Sequence, residues 1–203
     1  MKTVLLLLTI LGATTLAFTV TLEKLVCLNV PAKEKFEPKK YFHGRWYLTN
    51  LQKASTSPTD VCQESLSEVL ENGTISHKIY AYSDKKTPEF VVLDCKSSLS
   101  EVKDDLGKVP LHCKVTNNDK VWEFDMDGTI VETDYDHFAL FYVCGKTENQ
   151  EVLGNMLVLS RDKDVEPKDP RIADTLKKLG LDLSTFALRK NAHCKKHPSV
   201  LSS

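Results

Sequence analysis

The reactive residues of this chain are six cysteines and six histidines, and their spacing favours oxidative cross-linking over catalysis. Cys27, Cys62, Cys95, Cys113, Cys144 and Cys194 are scattered along the chain with no C-x-x-C pair, which argues against a zinc ribbon or a dithiol redox motif. An even number of dispersed cysteines suits three disulfides in an oxidising compartment, and spacing alone leaves their pairing open. His43, His77, His112 and His137 stand apart from one another. His193-Cys194-Lys195-Lys196-His197 gathers two imidazoles and a thiol, but Cys194 belongs with the half-cystines and the segment is a polar tail, so no metal site is expected. The G-x-S-x-G nucleophile elbow, the H-E-x-x-H zinc motif and the Gly-rich phosphate loop are all missing from the sequence, and no enzyme is expected. Asn72-Gly73-Thr74 is a candidate glycosylation acceptor.

The N-terminus fits export. Lys2 precedes an apolar run from Val4 to Leu11, interrupted at Thr9, and Thr15-Leu16-Ala17 supplies the small residues of a cleavage site. Residues 1–17 are therefore expected to be a signal peptide and the mature chain to begin at Phe18, outside the cell. The run is too short to span a membrane. Lysine and arginine total 27 against 28 acidic residues, with the signs interspersed, so neither a nucleic acid nor a membrane surface is an expected partner.

The elements that must position these residues are strands. Arg45 to Leu51, Gln63 to Leu70, Thr74 to Tyr82, Glu89 to Cys95, Val109 to Val115, Val121 to Thr133, Phe138 to Cys144 and Leu153 to Ser160 are rich in β-branched and aromatic residues, often in period two. Asn72-Gly73 and Asn117-Asn118-Asp119 read as turns, and Asp127-Gly128 as a bulge or bend within the longest strand. Eight short strands without intervening helices make an antiparallel sandwich or barrel. One helix follows: Asp169 caps it, Pro170 opens it, Ile172, Leu176 and Leu179 share a face, and Gly180 closes it. That apolar face would cover the outside of the sheet.

Three motifs in this order resemble the lipocalin family: Gly44-Arg45-Trp46 on the first strand, Thr133-Asp134-Tyr135 before the seventh, and Arg161 after the eighth. The resemblance implies an all-β, eight-stranded, antiparallel up-and-down barrel over residues 18–203, with the C-terminal helix packed outside. It makes Trp46 a plug at one end and Arg161 its cover, a cation–π contact of about 1–2 kcal/mol. Within lipocalins the chain is most similar to the triabin-like and nitrophorin-like salivary proteins of triatomine bugs. Lys40-Tyr41-Phe42-His43-Gly44-Arg45-Trp46-Tyr47, Val61-Cys62, the Thr133 to Cys144 stretch and Leu159-Ser160-Arg161-Asp162-Lys163 carry that similarity. It implies disulfides Cys27–Cys144 and Cys62–Cys194, with Cys95–Cys113 remaining. Nitrophorins hold haem through a histidine in a Tyr-His-Tyr setting on the third strand. Here Tyr80-Ala81-Tyr82 stands at that place, so no cofactor is expected.

Strand parity then suggests a lining. If Trp46 points inward, so do Leu48 and Asn50; if Arg161 turns in, Leu159, Leu157, Asn155 and Leu153 share its face. The resemblance puts Ala139, Phe141 and Val143 inside, with Phe138, Leu140 and Tyr142 outside under the helix. Trp122, Phe124 and Met126 make the apolar side of the sixth strand. Asn50 and Asn155 would orient a polar ligand or hold ordered water. Two functions are compatible with these features. The barrel of a monomeric, secreted protein sequesters a small host mediator, such as a biogenic amine, an eicosanoid or a nucleotide, and so impairs haemostasis at a bite. Alternatively, the surface binds a host protein such as thrombin, a platelet factor or a contact-pathway factor.

Overall fold

The computed structural model describes residues 27–52, 58–83, 89–117, 120–146 and 152–198. The expected signal peptide and the Asn118-Asp119 turn lie outside these residues. Eight strands run in sequence: β1 (Gly44–Leu51), β2 (Glu64–Val69), β3 (Thr74–Ser83), β4 (Glu89–Ser98), β5 (Lys108–Asn117), β6 (Lys120–Thr133), β7 (Phe138–Lys146) and β8 (Val152–Ser160). Each pairs antiparallel with the next, and β1 pairs with both β2 and β8, which closes the sheet into a barrel without a free edge. A two-residue strand, β9 (Ala187–Leu188), adds to β1 outside the barrel. A short helix, α1 (Pro38–Tyr41), leads into β1.

Helix α2 (Pro170–Lys178) forms where its caps predict. The Asp169 carboxylate accepts the Arg171 amide, Pro170 occupies the first turn, and Gly180 takes φ +73° just past the end. Ile172 and Leu176 are sealed against the outward residues Phe138, Leu140, Met156 and Val158. Tyr142 joins this outer layer, where its hydroxyl accepts the Leu28 amide at 2.8 Å.

Two irregularities shift parity. The β5–β6 ladder runs unbroken through Asp127 and Gly128, so the bulge expected there is absent; the break in β6 lies instead between Ile130 and Glu132. Gly128 has another reason for being glycine. A Cβ there would stand 3.0 Å from the Phe141 ring and 3.1 Å from the Val109 carbonyl. In β1 the register slips between Leu48 and Asn50, with consequences for the site.

Three disulfides staple the barrel. Cys27–Cys144 holds the N-terminal segment to β7, Cys62–Cys194 holds the C-terminal segment beside β2, and Cys95–Cys113 joins paired positions of β4 and β5.

Candidate functional site

One end of the barrel is sealed by aromatic rings. Gly44 turns the chain into β1 with φ +63°, and Trp46, fully buried, faces inward opposite Ser65. Its Nε1 donates to the Tyr41 carbonyl at 3.1 Å, and the two rings lie 5.4 Å apart. Phe36 and Phe42 extend this aromatic floor. The guanidinium of Arg161 lies 3.6 Å from the Trp46 ring centroid. It donates to five carbonyls, those of Tyr135, His43, Arg45, Lys40 and Tyr41. Five donors are all that an arginine has.

The Thr133-Asp134-Tyr135 turn presents one of those carbonyls. Thr133 Oγ1 accepts the Tyr135 amide and donates to the Phe138 carbonyl. The Asp134 carboxylate accepts the amides of Asp136, His137 and Phe138. Burial opposes its charge, but the Phe138 and His137 amides and the His137 ring outweigh that and hold its carboxyl below the usual range.

Above the floor the inner wall changes character. Leu48, Ile75, Leu111, Ile130 and Ala139 are sealed, whereas Ile79, Leu93, Phe124, Met126, Val143 and Leu157 face the same interior and stay partly accessible. Apolar side chains that point to the barrel axis yet remain accessible line a lumen. Its deep end is a cavity of about 40 Å³. Trp46, Leu48, Phe141 and Leu157 border it on one side, Ser65, His77 and Ile79 on the other.

His77 is the polar feature that sequence reasoning undervalued. It sits on β3 between Ile75 and Ile79, so period two already places it inside. What the sequence hides is its partner, Ser67 on β2, directly opposite in the ladder, whose hydroxyl lies 2.7 Å from Nδ1. Burial pushes the ring down to about 4, so it is neutral at physiological pH.

The other candidate residues fall in several places. Leu48, Phe141 and Leu157 border the cavity, and Ala139 is buried opposite Leu159. Phe124 faces inward opposite Cys113; Trp122 shares its parity but is 42% exposed near the β5–β6 connection. Asn155 is opposite Val143 and half-buried. The side chain of Leu153 lies outside the described residues. Asn50 is a correction: it does not line the lumen. The extra residue at Thr49 turns it to the outer face opposite Val158, where its Nδ2 donates to Glu166 at 3.1 Å and its Oδ1 accepts from Thr49. Leu51, opposite Leu157, takes the inward place instead. Asn72 is exposed at the β2–β3 turn, its Oδ1 accepting the Thr74 amide.

Comparison with known proteins places the chain. The family model described as Nitrophorin matches residues 27–203. The chain belongs to the nitrophorin family. Within it, the chain is a triatomine salivary lipocalin. Triafestin-2 of Triatoma infestans is 28% identical over 181 residues, covering 85% of this chain and 84% of the relative. The tryptamine complex of the amine binding protein of Rhodnius prolixus superposes with a TM-score of 0.74 at 19% identity, over 87% of this chain and 93% of that one. A tyrosine-to-alanine mutant of LTBP1 in complex with leukotriene C4 gives 0.58 at 20% identity, over 85% and 99%.

Haem, which the family name brings to mind, does not fit the residues described. Ala81 offers no ligand atom at the third-strand position. His77, four residues earlier on the same strand, has Nδ1 engaged by Ser67 and its ring packed edge-on to Phe42. Among the described residues no three His, Cys, Asp or Glu side chains converge to hold a metal ion.

Proposed function

We propose that this nitrophorin-family chain is a secreted, monomeric scavenger that takes one small, largely apolar host mediator into its barrel, without catalysis or cofactor, and so impairs haemostasis. The observation that carries this reading is the accessible inner wall: Ile79, Leu93, Phe124, Met126, Val143 and Leu157 lie on lumen-facing positions yet keep contact with solvent. A barrel whose interior was only a core would seal these residues as thoroughly as it seals Leu111 and Ile130. The leading group of the mediator would enter the cavity by His77, with its body along the wall toward Phe124 and Met126. Support comes also from the amine and leukotriene complexes of proteins with this fold.

Scavenging is stoichiometric, and that gives the test. Platelets pre-mixed with the protein should need additional agonist in proportion to the protein added, for one mediator and not for others. An inhibition that grows with time at fixed protein, or that ignores agonist identity, contradicts the reading. A second reading, surface inhibition of a host protein, draws on Val121 and Trp122. These are 49% and 42% exposed on the β5–β6 hairpin, Val121 on the outer face and Trp122 on the lumen side, where a partner docking on the hairpin would meet both. Direct binding of a purified clotting or platelet factor, lost on Trp122→Ala, would favour it.

A further inference from the structure

The class of ligand follows from the charges that the strands keep out of the lumen. Among the described side chains of β1 to β8, every Asp, Glu, Lys and Arg takes an outward position. Arg45 pairs with Glu64 at 3.1 Å, Asp94 stands between Lys78 and Lys114 in the ladder, and Glu132 reaches Lys33. Glu64 borders the deep cavity, but its carboxylate is committed to Arg45. The inner positions carry hydroxyls, the Asn155 amide and one imidazole. Among the described side chains, a protonated amine placed there meets no uncommitted carboxylate, and a carboxylate or phosphate meets no cation. Burying either without a counter-ion is strongly unfavourable.

His77 supplies the polar recognition that remains. Its Nδ1 is fixed by Ser67, Nε2 has no hydrogen-bond partner among the described residues, and the ring borders the cavity. If the Ser67 hydroxyl donates to Nδ1, Nε2 is a donor; if Nδ1 donates to Ser67, Nε2 is an acceptor. A ligand hydroxyl satisfies either arrangement, and a carbonyl satisfies the first.

Taking the lumen as the binding site, we infer that it selects an uncharged molecule, an apolar body with a hydroxyl or carbonyl at its leading end, hydrogen-bonded by Nε2 of His77. This sets the chain apart from an amine carrier, although an amine complex is among the structures its fold matches.

A matched set of probes tests the inference. Tryptophol, tryptamine and indole-3-acetate share one ring and differ in the charge of the head group. In calorimetric titrations of the full chain near neutral pH, tryptophol is expected to bind at least about tenfold more tightly than either charged analogue. His77→Phe keeps the ring volume and removes the nitrogen, and is expected to weaken tryptophol about three- to tenfold while leaving tryptamine unchanged. Ser65→Asp places a carboxylate on the cavity wall and is expected to reverse the ranking in favour of tryptamine. The wild-type ranking stands whether or not that variant folds. Tryptamine or indole-3-acetate binding wild type as tightly as tryptophol overturns the inference and leaves mediator scavenging intact. Binding of none of the three also overturns it. The scavenging reading falls separately, if a panel of host mediators as well as these probes all fail to give a one-to-one adduct.

Discussion

Replacing Arg161 by methionine tests how the barrel is closed. The side chain keeps most of its apolar length and loses its fork. Three of the five hydrogen bonds, those to Tyr135, Arg45 and Tyr41, are partly buried. At about 1 kcal/mol each they amount to about 3 kcal/mol. The contact over Trp46 adds about 1 kcal/mol at a half-exposed site. The bonds to His43 and Lys40 are exposed, and water replaces them at little cost. Rehydration of the open carbonyls returns part of the total, leaving a loss of about 3 kcal/mol. For a domain of this size that lowers the thermal midpoint by roughly 6–12 °C. Arg161→Lys is the informative control: it retains the charge but not the planar fork, so most of the loss should persist. Scanning calorimetry of the three proteins decides the matter. An Arg161→Lys midpoint equal to wild type would refute the five-carbonyl argument, and a cost below about 1 kcal/mol for Arg161→Met would refute the whole account of the floor.

Phe141 borders the cavity and Tyr142 faces the outer layer. Phe141→Ala should therefore weaken a bound mediator by roughly ten- to a hundredfold, whereas Tyr142→Ala should lower stability with affinity unchanged; equal losses in titrations of both folded variants would contradict the parity. The buried His77 ring titrates near 4 in the folded state against an ordinary 6.5, so its contribution is complete above 6.5 and is lost as pH falls from there toward 4. Urea midpoints should show about 2 kcal/mol of acid destabilisation between pH 7 and pH 5 that His77→Phe removes, and an unchanged pH slope in the variant would be contrary evidence. Gly128→Ala forces a methyl against the Phe141 ring and the Val109 carbonyl, with an expected cost of about 1–3 kcal/mol in denaturant titration. A neutral substitution would mean that Phe141 has room to move.

The strands were legible because alternation survives in each of them, and the helix because Asp169, Pro170 and Gly180 mark its ends chemically. Parity was legible only as far as the pleat stayed regular. Asn50 was misplaced because one inserted residue, Thr49, turns everything after it, and nothing in the side chains of Leu48-Thr49-Asn50 signals that slip. Asp127-Gly128 looked like a bulge on composition, yet the glycine there answers to the packing of Phe141. His77 lay on an inward position from the outset. Its importance comes from Ser67, ten residues earlier and adjacent only through the ladder, and from its place on the cavity wall. β9 is two residues long and is held by docking onto β1, so no local pattern could announce it.

Native mass spectrometry of the intact protein with a panel of host mediators tests the central claim most directly. Each is presented singly and then in competition. The account predicts a one-to-one adduct with an uncharged or largely apolar mediator, lost on Phe141→Ala and retained on Tyr142→Ala. A protein that stays unliganded against the whole panel while still inhibiting platelets or clotting would contradict it.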